Sequence, residues 1–170
     1  MAEIAEAAGV SRQAVYLHFA DRAALMIALA QHADESRGLE KELRKIREAP
    51  SGLAAIREMI ALQARMNQGI WAVARAFDAV RRKDEAAERA WENRLALRLE
   101  GCRELVRRIK GEGQLRPGLD LSDAADLLWT ITSLRAWEDL VLLRGWSARQ
   151  YQKRITALVL TSLTSFTSDE

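Results

Sequence analysis

The sequence predicts an all-α protein, a small helix-turn-helix head followed by a larger helical body, on three observations. Its 170 residues hold two prolines and nine glycines, against long stretches rich in Ala, Leu, Arg and Glu that favour helix over strand. Apolar residues recur at spacings of three and four through most of the chain. Hydrophobic residues make up 49% and charged ones 29%, enough apolar material for a continuous core in one or two small domains.

"AEIAEAAG" has helix-forming composition and stops at Gly9, which suits the left-handed conformation that closes a helix. Ser11 then accepts from an amide two or three residues on, so "SRQAVYLHF" begins a second helix at once. Two short helices joined by about three residues with a glycine at the bend form a helix-turn-helix. Ile4, Ala5, Ala8, Val15 and Phe19 are its expected small core. Asp21 caps a third, long helix in which Leu25, Leu29, His32, Leu39, Leu43 and Ile46 form one stripe up to Pro50. Ser51 opens the next, with Leu53, Ile56, Ile60 and Gln63 on a face running toward Gly69, and "IWAVARAFDAV" is a shorter apolar helix of its own. Asp84 opens a long helix striped by Trp91, Leu95, Leu99, Cys102, Val106 and Ile109, and "GEGQLRPGLD" is the clearest loop. From Leu121 to Leu143 apolar residues lie on most sides of one helix, "RGWS" turns the chain, and Tyr151, Ile155, Leu158, Val159, Leu163 and Phe166 repeat the theme in the last helix. Helices apolar nearly all round are buried on more than one side, and one chain of this size has too little material to cover both, so a partner subunit is expected.

Several function classes fall away. A single cysteine, Cys102, gives no internal disulfide framework and lies on an apolar stripe, where it reads as packing. "MAEIAEAAGV" is no basic-then-apolar leader, so the chain is expected in the cytoplasm. "ITALVLTSLTSF" is shorter than the about 20 apolar residues a membrane span needs. The two histidines lack the spacing of a zinc-binding helix, and there is no glycine-rich phosphate loop, so no metal, cofactor or enzyme activity is expected. "DEAAERAWE" clusters carboxylates at a helix start, where they complement the dipole. The net charge of +2 argues little for a nucleic-acid partner, and residues 1–33 carry two cations, Arg12 and Arg22, against three anions, Glu3, Glu6 and Asp21.

The stretch "IAEAAGVSRQAVYLHFADRAAL" resembles the signature of the TetR family of transcriptional repressors. "GVS" occurs in many helix-turn-helix families, and "YLHFADRAAL" is the more specific part. "GQLRPGLDLSDAADLLW" and "LRGWSARQYQKRITALVLTSL" look like the last two helices of family members, so the resemblance covers nearly the whole chain. It implies a homodimeric regulator that binds a palindromic double-stranded DNA operator and is released by a small-molecule effector. It divides the chain into a head at 1–22, a connecting helix at 23–48 and an effector-binding and dimerisation domain at 49–170. It also implies a dimer built on the last two helices, with Leu128, Thr132, Arg135, Ile155, Leu158, Val159, Ser162 and Phe166 facing the partner.

Residue roles follow from that placement. The N-terminal turn of a recognition helix enters the major groove and takes short or hydrogen-bonding side chains. Arg12 suits guanine, Gln13 adenine, Ala14 leaves room for a thymine methyl, and Ser11 caps the helix or touches phosphate. Tyr16, His18 and Arg22 sit where similar proteins hold the DNA backbone; packing is the competing reading of Tyr16 and His18, a solvated face that of Arg12 and Gln13. Met59, Gln63, Met66, Trp71, Phe77, Trp91, Trp129, Ser133 and Trp137 mix large apolar groups with a few polar ones, the lining expected for a flat or hydrophobic effector, with ordinary core as the alternative. Similar proteins carry one more cationic helix before "IAEAAG". Its lack here leads to the expectation of a loosened head, from a shortened start or a short form that binds ligand or pairs with relatives while gripping DNA poorly.

Overall fold

The computed structural model describes residues 1–36 and 38–165. Helix starts fall where the sequence puts a capping side chain: Ser11 Oγ accepts from Ala14 N at 3.1 Å, Asp21 Oδ1 from Ala24 N at 2.8 Å and Ser147 Oγ from Gln150 N at 3.1 Å. The helices are α1 (Ala2–Ala7), α2 (Arg12–His18), α3 (Arg22–Ser36), α4 (Leu39–Arg47), α5 (Gly52–Arg81), α6 (Glu85–Gly111), α7 (Leu121–Ile131), α8 (Leu134–Trp137) and α9 (Ala148–Leu163), with a π-helical turn at Glu138–Leu143 between the last two.

Three stretches differ from the periodic reading. The long connecting helix is two, because Gly38 takes φ +70°, a left-handed conformation in which the α-helical ladder cannot continue. Gly69 ends nothing: α5 runs through it, as a single interior glycine costs only about 1 kcal/mol against Ala and the flanking turns keep their ladder. The helix expected over Leu121–Leu143 breaks at Thr132. There the Thr132 hydroxyl donates to Leu128 O at 2.6 Å, and Ser133 Oγ accepts from Ala136 N at 3.1 Å to start α8 afresh. Hydroxyls that bond the local backbone compete with a continuous helix.

The chain forms two compact units, Met1–Leu39 with Arg75–Leu95 and Glu40–Ala74 with Ala96–Glu170, so the boundaries fall inside α5 and α6 rather than in loops. In the first unit α1 packs on α2, and Ala5, Val15, Ala23, Ala86, Ala87 and Ala90 are buried. The second unit holds the main core, in which Ile56, Ile60, Val106, Ile109, Leu128, Trp137, Tyr151, Val159 and Leu163 are almost wholly enclosed and α7 packs on α9. The loop between α6 and α7 is tied to the end of α9: Arg116 N donates to Leu163 O at 2.8 Å, and the Arg116 side chain reaches the carbonyls of Thr161 and Thr164.

Candidate nucleic-acid interface

The head is built from one tight connection. Gly9 at φ +67° turns the chain after α1, Val10 N donates back to Ala5 O at 3.0 Å, and Ser11 caps α2. Val15 points inward at 7% exposure, and Ala5 and Ala23 of the same unit are buried as well. With Val15 fixed inside, Arg12 and Gln13 at the start of α2 stand in solvent and Ala14 is half-buried. The Arg12 guanidinium lies 5.6 Å from the centre of the Tyr16 ring, and Tyr16 is itself 43% exposed. His18 is exposed, with its ring 6.4 Å from that of Phe19.

Two features of this surface escape a pattern reading. Leu17 is 79% exposed on α2, the most exposed of the large apolar side chains described. Arg22 pairs with Asp84 at 2.5 Å, and the adjacent Asp21 pairs with Arg89 at 3.2 Å. The Ala24 amide, then Arg89, hold the Asp21 carboxyl below its ordinary value. Both partners come from beyond residue 80, and no local spacing signals them.

The expected effector residues divide between the units. In the first, Phe77 and Trp91 stack with ring centres 6.4 Å apart, and Arg81 lies 5.3 Å above the Trp91 ring. In the second, Met59, Gln63, Met66, Trp71 and Trp129 are half-buried, Trp137 is enclosed and Ser133 caps α8. Gln63 Oε1 and the indole nitrogens of Trp71, Trp129 and Trp137 are buried without a hydrogen-bond partner. Of the residues assigned to a subunit interface, Leu128, Thr132, Ile155 and Val159 are buried within the chain, Arg135 and Leu158 are exposed and Ser162 is half-buried. Phe166 lies outside the described residues.

Sequence reasoning passed over Arg98, whose guanidinium lies 5.0 Å from the Trp129 ring centre and bonds Thr132 Oγ1 at 3.0 Å and the Trp129 carbonyl. Among the described residues no helix is long and apolar enough to cross a membrane, and no group of three or more His, Cys, Asp and Glu side chains could hold a metal ion.

Residues 1–29 match the family model described as bacterial regulatory proteins, tetR family. No curated protein matches the chain. Solved structures with the same fold include the ketosteroid transcriptional regulator KstR2 of Mycobacterium tuberculosis, at 16% identity over 97% of this chain and 84% of that one with a TM-score of 0.55. A second, described as the molecular basis for control of antibiotic production by a bacterial hormone, shares 19% identity over 96% of this chain and 86% of that one, also with a TM-score of 0.55. Regulators of the tetR family bind DNA, usually as dimers, and respond to small-molecule effectors. The first 29 residues thus carry the head of the tetR family of bacterial regulatory proteins, and the chain as a whole has an all-helical fold shared with solved regulators.

Proposed function

We propose that the protein represses transcription as a homodimer on a palindromic operator, with α2 of each subunit in the major groove, and that a small apolar effector bound by the second unit releases it. The observation that carries this reading is the start of α2. Ser11 caps it, Val15 anchors it inward, and Arg12 and Gln13 are thereby held out together on one exposed turn. Arg12 and Gln13 read base edges, Ala14 admits a thymine methyl and Ser11 approaches the backbone. Tyr16, His18 and Arg22 hold phosphate, Arg22 sharing its charge with Asp84. The second copy meets the side chains that α7 and α9 leave exposed, Leu127 at 40% and Leu158 at 50%, while Leu128 and Val159 hold the subunit's own core.

Fluorescence anisotropy on labelled DNA from upstream of the protein's own gene tests the reading. Gln13→Ala is expected to cost about 1–3 kcal/mol at one base position and relax preference there. Arg22→Ala is expected to weaken all sequences about equally and flatten the salt slope by about one unit. Identical behaviour of the two variants, or no specific binding of the wild-type chain, would overturn the assignment. Adding apolar compounds to the preformed complex is expected to lower anisotropy if the effector half holds.

A further inference from the structure

Arg98 is a cation in the wrong place for a purely structural one. It projects from α6 into the second unit, and among the described residues no carboxylate pairs with it. Arg98 is half-buried, and burial pushes its guanidinium below the usual arginine range, because taking a cation even part-way out of water costs free energy unless a counter-charge is supplied. Here the partners are the Trp129 carbonyl, the Thr132 hydroxyl and the face of the Trp129 ring, all neutral. The titratable groups whose charge it feels are the Cys102 thiol, pushed up to about 11 by burial, and the Tyr151 phenol, pushed up to about 12 for the same reason. Neither is an anion at neutral pH. Both of Arg98's hydrogen bonds leave from Nη2; among the described residues Nε and Nη1 meet no acceptor, and neither is enclosed, so both are open to an incoming group.

The same neighbourhood holds orphaned polar groups. Tyr151 is wholly buried and its hydroxyl has no hydrogen-bond partner; the indole nitrogen of Trp129, whose ring carries Arg98, has none either. An unsatisfied buried donor costs about 1–3 kcal/mol, so two of them near a half-buried cation without a counter-ion favour an acceptor that serves all three. The apolar side chains of Leu128, Ile155 and Val159 belong to the same core.

We propose that this cluster receives the head group of the effector, and that the effector is a monocarboxylate on an apolar body: the acceptor-less N–H groups of Arg98 take the carboxylate, with Tyr151 Oη and Trp129 Nε1 as additional donors. The inference rests on the effector-binding reading above and narrows it to a chemical class. A single cation balances a single negative charge, and a guanidinium edge matches a carboxylate in shape as well as charge.

Titration calorimetry on the intact protein at neutral pH tests it, with octanoate and decanoate set against octanol and decanol, which keep the chain and lose the charge. The acids are expected to bind at least about ten-fold tighter than the alcohols, the difference a charge-assisted pair makes over a neutral one. In Arg98→Met that ratio is expected to fall to about one, and in Arg98→Lys to an intermediate value, because the charge survives and the fork does not. Thermal unfolding shows whether each variant is folded, and the wild-type ratio decides the matter without any variant. Alcohols binding as tightly as acids would overturn the anion assignment and leave an apolar effector site standing. A ratio preserved in Arg98→Met would overturn the role of Arg98. Binding of neither series would overturn the proposal, and release from operator DNA would then judge the effector reading separately.

Discussion

Gly52, the first residue of α5, sets two opposed effects against each other, and their sizes give the sign of a substitution. Its backbone N–H donates to both carboxylate oxygens of Glu112, at 3.0 and 2.8 Å, and Glu112 is held in turn by Arg108 at 3.2 Å. A Cβ at this position would stand 2.6 Å from Ile109 Cγ2 and 3.0 Å from Ile109 N. Ile109 is fully buried and β-branched and the second contact is backbone, so neither neighbour yields cheaply. Gly52→Ala gains at most about 1 kcal/mol from helix propensity and a stiffer unfolded chain. Against that stand about 1–3 kcal/mol for overpacking and part of the about 1.5–3 kcal/mol of a charge-assisted hydrogen bond pulled out of line. The net expectation is a loss of about 1–3 kcal/mol, a fall in Tm of about 3–10 °C for a chain of this size. Gly69→Ala is the matched control, in the same helix, where an added Cβ would meet nothing within 4 Å. It should raise stability by about 0.5–1 kcal/mol. Thermal and urea unfolding of the two variants measure both signs. A Gly52→Ala protein as stable as wild type, or a Gly69→Ala protein that loses as much, would refute the packing argument.

Raising the pH should destabilise the second unit from about pH 9 upward. The Cys102 thiol is raised from 9.0 to about 11 and the Tyr151 phenol from 10.0 to about 12. Below the lower values both states keep these protons and stability is independent of the two groups. As pH rises toward the folded values the unfolded chain gives the protons up first, so stability falls, by about 2–3 kcal/mol per group once both have titrated. Urea unfolding across pH 8 to about 12 should show that slope, and Tyr151→Phe should flatten its upper part. Ser11→Ala should cost α2 about 0.5–2 kcal/mol, seen as faster hydrogen exchange at its amides; unchanged exchange would mean the cap bond carries no stability. Leu158→Asp, at an exposed position, should shift the protein toward monomer in sedimentation, whereas Leu128→Ala should cost about 2–5 kcal/mol of subunit stability at unchanged assembly. A dimer indifferent to Leu158→Asp would remove α9 from the interface.

The turn and caps of the head were legible because their determinants are local, whereas Ile4 and Ala8, expected in its small core, are exposed and only Ala5 and Val15 of that set are buried. Gly9 closes α1, Ser11 and Asp21 cap the helices that follow, and Val15 faces in while Arg12 and Gln13 face out, all within the span of a few residues. The same kind of reasoning overran at Leu121–Leu143, where a hydrophobic stripe hides two hydroxyls that bond the backbone, and at Gly38, whose left-handed conformation the stripe across it does not announce.

By itself the sequence determined an all-helical chain, the places of most helix starts and the side chains held out at the start of α2, since propensity, periodicity and capping act over distances of one to a few turns. The tertiary structure alone decided which charges are paired and which are left over. It gave Arg22 an acid 62 positions along the chain at Asp84, and it set Gly52 against Ile109. It placed Arg98 beside Trp129 and Thr132, with no acid paired to it among the described residues. Charge compensation and the satisfaction of buried donors depend on which distant segments are folded together, and that information exists only once the helices have packed.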